Sequence, residues 1–171
     1  IMPFLKSLCI STAFIIAASA AAHAQSAKAS LINAKGEAAG EAQFTQTPAG
    51  VLIRLTLSGL PGERAMHIHA VGKCEPPFTT AGGHFNPANK KHGLHSAEGH
   101  HAGDMPNLVI PASGSTTVEV LNAAVTLEKG KPNSLIRDGG TAIVVHEGKD
   151  DYKSDPAGDA GGRAACGVIT E

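Results

Sequence analysis

The chain has no tryptophan, one tyrosine and five phenylalanines in 171 residues, so aliphatic side chains must carry any core. Neither sign of charge is in excess: 14 basic residues face 15 acidic ones, a formal charge of −1. That balance excludes the basic footprint of a nucleic-acid binder and a polybasic membrane patch. Apolar runs long enough to span a bilayer are also missing; the longest, Leu8 to Ala22, falls short of the roughly 20 residues required. No internal repeat, low-complexity tract or useful stretch of helical periodicity follows it. With hydrophobic residues at 42% and charged residues at 17%, a packed core is expected and wholesale disorder is not. The length suits one domain.

The first residues read as a leader. Lys6 precedes the apolar run, and Ala22-His23-Ala24 supplies the small-x-small pattern of a signal-peptidase site. The expectation is a signal peptide over 1–24, cleaved after Ala24. It leaves one domain over 25–171, periplasmic or otherwise exported, with no stable membrane association. Cleavage removes Cys9 and leaves Cys74 and Cys166. An even pair in an exported chain predicts a disulfide, in preference to two free thiols or two thiolate metal ligands.

What is present in strength is glycine (20), proline (10) and, above all, histidine (9). Val51 to Ser58 places an apolar residue at every odd position, the period of a strand with one buried face. Gly59-Leu60-Pro61-Gly62 marks a turn. Ala65 to Val71, Thr116 to Leu127 and Thr141 to His146 are further strand candidates; Ala29 to Ile32 and Ala38 to Phe44 carry weaker patterns. Short strands joined by Gly/Pro turns predict an all-β antiparallel sandwich or barrel. Two stretches, Lys73 to Asn107 and Glu147 to Ala165, do not read as strands. Loops of that length in a compact domain are usually functional.

The histidines cluster. His67-Ile68-His69 sits on a predicted strand, where residues two apart project from one face roughly 6.5–7 Å apart, a span that lets two imidazoles reach one ion. The first long loop adds His84, His92 and His101, with Asp104 three residues on, and His146 ends an apolar strand. Imidazoles with a carboxylate suit Zn²⁺, and histidine-rich sites suit Cu²⁺. Six imidazoles and a carboxylate outnumber the ligands of one tetrahedral site. The reading is therefore two metals, or one imidazole shared between two. His95 and His100 are left unassigned and expected to face solvent.

Several motifs lie in order: Gly72-x-Cys74, Ala81-Gly82-Gly83-His84-Phe85-Asn86-Pro87, His92-Gly93, His101-Ala102-Gly103-Asp104-Met105-Pro106-Asn107-Leu108 and Gly161-Gly162-Arg163-Ala164-Ala165-Cys166-Gly167-Val168-Ile169. Together they resemble the copper/zinc superoxide dismutase family, in its exported bacterial branch. The resemblance implies a Greek-key antiparallel β-sandwich or barrel of about eight strands with two long functional loops. It implies copper ligands His67, His69, His84 and His146, and zinc ligands His84, His92, His101 and Asp104, with His84 bridging. It also implies that Asp150 hydrogen-bonds ligands of both metals, and that Arg163 guides the anionic substrate, superoxide. Arg163 can equally be a structural arginine bonding loop carbonyls, and the roles are compatible. Ala70 follows His69 where many relatives carry Glu, and the second loop mixes Lys149 and Lys153 with five acidic residues, so the sequence singles out no steering lysine. A homodimer is the favoured assembly. Two other classes remain open: a copper and zinc buffering protein without turnover, and a β-domain held by zinc alone.

Overall fold

The computed structural model describes residues 24–171; the proposed leader up to His23 lies outside the described residues. Nine strands make up the regular structure: β1 (Ser26–Asn33), β2 (Ala38–Thr47), β3 (Gly50–Leu57), β4 (Gly62–Arg64), β5 (Met66–His69), β6 (Leu108–Ile110), β7 (Thr116–Asn122), β8 (Thr141–His146) and β9 (Arg163–Ile169). The only other regular element among the described residues is a single 3₁₀ turn, Thr79–Ala81. Seven strands form one antiparallel sheet in the order β5-β8-β9-β1-β2-β3-β7, and β4 pairs with β6. The all-β expectation holds.

The sheet curls around one core. β3 buries Val51, Ile53, Leu55 and Leu57 and leaves the alternate residues outside, as its period of two requires. Ala27, Ala29 and Leu31 of β1 and Ala42 and Phe44 of β2 face the same interior. Met66, Ile68, Ile143 and Val145 close it from β5 and β8, and Leu127 and Leu135 fill it from the loop before β8.

β8 is buried on both faces, which is why its sequence is continuously apolar. Its outward residues Ala142 and Val144 pack with Phe78, Ala81 and Cys166 in a second, smaller cluster beneath the first long loop. Cys74 and Cys166 are joined, with Cα atoms 5.6 Å apart and 92 residues between them in sequence. The predicted disulfide therefore ties that loop to β9.

Two sequence expectations shift. The strand read over Ala65 to Val71 is four residues long, and the one read over Thr116 to Leu127 ends at Asn122, after which Val125 and Leu127 enter the core from a loop. β4, β6 and β9 have no strand counterpart among the sequence expectations. β4 and β6 have three residues each, too few for alternation to show. β9 mixes small residues with buried ones on both faces.

Candidate metal centre

The site forms on the outer face of the sheet. Register pairs His67 with Val144 and His69 with Ala142, so the two imidazoles stand on the side of β8 that faces the loop, while Met66 and Ile68 point into the core. All four residues of β5 are buried.

β5 is an edge strand of the sheet, and the long loop folds onto its free edge. The Ile68 N–H donates to the Gly103 carbonyl, the Phe85 N–H to the Ile68 carbonyl and the Ala70 N–H to the Gly83 carbonyl. These short bridges set His84 beside His69 and Asp104 beside His67. Glycine is required at 103, where a Cβ would lie 2.2 Å from the Ile68 carbonyl oxygen. From the other side, the β8–β9 register shifts between Val145 and His146, and His146 then pairs with Arg163. A shift of this kind re-aims a side chain; here it brings His146 and Arg163 to the same end of the sheet.

Donor atoms of His67, His69, His84 and His146 all lie within 4.8 Å of one another. Their tautomers follow from their outer partners. His67 Nε2–H donates to Asp150 Oδ2 at 2.7 Å, which leaves Nδ1 as a bare lone pair with no partner although it is buried. His69 Nδ1–H donates to the Gly82 carbonyl at 2.9 Å, leaving Nε2 free, 3.4 Å from His146 Nε2. His84 Nε2 is also buried without a partner. Burial holds the rings of His69, His84 and His146 neutral, helped by repulsion among neighbouring imidazoles. His69 falls to about 2, His84 to about 4 against the pull of Asp104, and His146 to about 3. A neutral ring offers the lone pair a metal needs.

His84 faces a second set of donors with its other nitrogen. Its Nδ1 lies 2.9 Å from Asp104 Oδ1 and 3.3 Å from His101 Nδ1. His92 Nδ1 and His101 Nδ1 approach Asp104 Oδ1 at 3.1 and 3.4 Å. The other oxygen, Oδ2, accepts the backbone N–H groups of Gly93 and His101. Four tetrahedral ligands at the zinc–nitrogen distance stand about 3.3 Å apart, and these separations fit that cage. Burial opposes ionisation of Asp104, but bonds from His101, His84 and His92 hold its carboxyl far below the usual range. His67 also lies within 4.8 Å of His84, His92 and Asp104, but its Nε2 is committed to Asp150.

Asp150 links the two sets. Its Oδ2 accepts His67 Nε2–H, and its Oδ1 accepts His92 Nε2–H at 2.9 Å. His92 therefore lies between two carboxylates; burial works against its charge, but Asp104 and Asp150 prevail and raise it to about 9. A Cβ at Gly158 would come within 1.9 Å of Asp150 Oδ1, so the second loop packs on the carboxylate with no space left over. Arg163 donates to the carbonyls of Phe78 and Gly82, the latter at 2.6 Å. The Gly82 carbonyl thus holds both Arg163 and His69, and the guanidinium is near enough to disfavour charge on His69 and His146.

Comparison with known proteins gives the family. The family model for copper/zinc superoxide dismutase matches residues 38–169. The chain belongs to the copper/zinc superoxide dismutase family. Within it, "Superoxide dismutase [Cu-Zn] 1" of Aquifex aeolicus (strain VF5) is 59% identical over 144 residues, covering 82% of this chain and 85% of that protein. The superoxide dismutase-like protein YojM of Bacillus subtilis (strain 168) is 40% identical, over 81% of this chain and 73% of its own. A crystal structure of a superoxide dismutase-like protein from Bacillus subtilis superposes with a TM-score of 0.80 at 36% identity, covering 82% of this chain and 96% of that one. Copper and zinc are the cofactors expected of the family, and the two donor sets suit them.

Among the described residues, two further histidines, His95 and His100, lie outside both sets. His95 is exposed, its ring 5.4 Å from that of Tyr152. His100 is half-buried, and its Nδ1–H donates to the His101 carbonyl. The expectation that it faces solvent is corrected, because the loop turns it back on its own backbone. Sequence reasoning assigned no role to Asn107, Tyr152 or Gly158, which touch Asp150, nor to Asp155, which accepts the His92 N–H. No spacing rule marks them, since each acts through a loop contact.

Proposed function

We propose that this chain disproportionates superoxide: two superoxide ions and two protons become dioxygen and hydrogen peroxide. His84 carries the proposal. It is a buried ring with one nitrogen facing each donor set, beside an arginine fixed on the carbonyl that also holds a ligand candidate. We assign copper to His67, His69, His84 and His146, and zinc to His84, His92, His101 and Asp104. Copper, when bound, supplies a one-electron redox couple, and zinc, which has none, supplies charge and order.

The chain's residues do the rest. Arg163 draws the small anion to the open side of the first set. Asp150 fixes the orientation of His67 and His92 by taking their Nε2 protons in hydrogen bonds. His84 holds one proton at Nε2 in alternate half-cycles and returns it to the departing peroxide. Lys149, whose Nζ is 3.5 Å from Glu63, is already compensated and contributes little attraction.

Purified protein loaded with both metals should show stoichiometric copper and zinc and rapid superoxide decay. Full loading without turnover would leave the buffering protein, and tight zinc without stable copper would leave the zinc-held domain. We further infer removal of residues 1–24 and export of 25–171 as one domain, supported by the leader pattern and the disulfide; amino-terminal sequencing of the secreted protein checks it. The homodimer remains part of this proposal, supported by Leu121, half exposed on the edge strand β7, and sedimentation decides it.

A further inference from the structure

Asp150 can serve both donor sets only if its carboxylate is held still, and the loop that carries it has no regular structure. Two residues outside both sets hold it. The Asn107 side chain forms a closed pair with the backbone of Asp150: Nδ2–H donates to the Asp150 carbonyl and the Asp150 N–H donates to Oδ1, both at 2.8 Å. Tyr152 completes the ring of contacts. Its backbone N–H donates to Asp150 Oδ1 at 2.6 Å, and its phenol oxygen accepts the Asn107 N–H at 2.7 Å.

Tyr152 is also the point where the two long loops meet. Its carbonyl accepts the His95 N–H and sits where a Cβ on Gly93 would be, 2.1 Å from the oxygen. Its φ is 62°, the left-handed region that a tyrosine rarely adopts. Residues held there persist when surrounding contacts over-determine them, and they gather at functional sites. A tyrosine with two contacts on the Asp150–Asn107 pair and one on the opposite loop meets that description.

We propose that Tyr152, together with Asn107, is a positioning residue of the metal centre: it clamps Asp150 so that one carboxylate engages His67 and His92 at once. This inference rests on the reading of the two donor sets given above. Partners of ligands set ring orientation, and their loss costs about 10–100-fold in metal affinity.

Tyr152→Phe removes one oxygen and leaves the ring and backbone. Asn107→Ala removes both bonds to the Asp150 backbone. Zinc affinity is measured by chelator competition, and the imidazole Nε2–H signals of His67 and His92 are followed by proton NMR in the zinc-free protein. Tyr152→Phe should weaken zinc about tenfold and hasten solvent exchange of both signals by a similar factor, with the far-ultraviolet dichroism unchanged. Asn107→Ala should do the same more strongly. Wild-type affinity with unchanged exchange in Tyr152→Phe overturns the clamp; should Asn107→Ala fail to fold, Tyr152→Phe alone decides. Absence of zinc binding in the unaltered protein would instead refute the reading of the donor sets, so the two failures are distinguishable.

Discussion

Arg163 serves two purposes with one side chain. Its guanidinium spends donors on the Phe78 and Gly82 carbonyls, which fixes its place, and keeps its charge, which acts at a distance. The substitutions Arg163→Ala and Arg163→Lys separate these. Arg163→Ala should lower the second-order rate of superoxide decay by about ten- to a hundredfold, within the range steering supplies, and flatten its dependence on ionic strength. Arg163→Lys should keep the salt dependence and lose less rate. Equal rates for Arg163→Ala and the unaltered protein, with equal metal content, would remove the arginine from substrate capture. The motif position of Arg163 was legible in the sequence, as were the histidines, because metal chemistry restricts the residue types and the strand period fixes His67 and His69 on one face. That Arg163 bonds loop carbonyls was among the readings of the sequence, but which carbonyls was not legible. Any residue supplies a carbonyl, so Phe78 and Gly82 carry no chemical signature, and the same holds for Asn107 and Tyr152, whose partners are chosen by loop geometry.

The long loop is attached at three places: its backbone bridges to β5, its apolar contacts on β8, and the Cys74–Cys166 bond to β9. β8 was readable because burial on two faces demands an unbroken apolar run. β4 and β6 were not, because three residues cannot display a period. The bond closes a loop of 92 residues, for which chain-entropy reasoning gives roughly 4–5 kcal/mol. Removing it with the paired change Cys74→Ala/Cys166→Ala should lower the unfolding free energy by about 2–5 kcal/mol in urea titrations. The loss should be accompanied by weaker copper retention, since Gly82 and Arg163 lie on the two segments it joins. An unchanged urea midpoint would mean the contacts on β8 suffice without it.

At the scale of the molecule, the centre makes stability depend on pH in opposite senses. His69, His84 and His146 have folded values of about 2, 4 and 3, below the ordinary 6.5. Between 6.5 and those values the unfolded chain binds more protons than the folded one, so stability falls as the pH drops through that window. Each ring that stays neutral contributes a slope of about 1.4 kcal/mol per pH unit. His92, raised to about 9, acts the other way: its contribution is complete below 6.5 and is lost as pH rises through about 9. Metal-free protein should therefore be most stable near pH 6.5 and lose stability on both sides, as read from urea midpoints across the range. A flat acid limb between 6.5 and about 4 would contradict the buried neutral rings. Zinc loading at neutral pH should release a proton from His92, seen as a buffer-dependent heat of binding.

The same joint that holds Asp150 has an optical consequence. The chain has one tyrosine and no tryptophan, and that tyrosine sits where the two long loops meet. Fluorescence excited in the tyrosine band, beyond the absorption of the five phenylalanines, is thus the signal of one phenol at one seam. Its intensity and lifetime report the seating of one loop against the other, with no label attached.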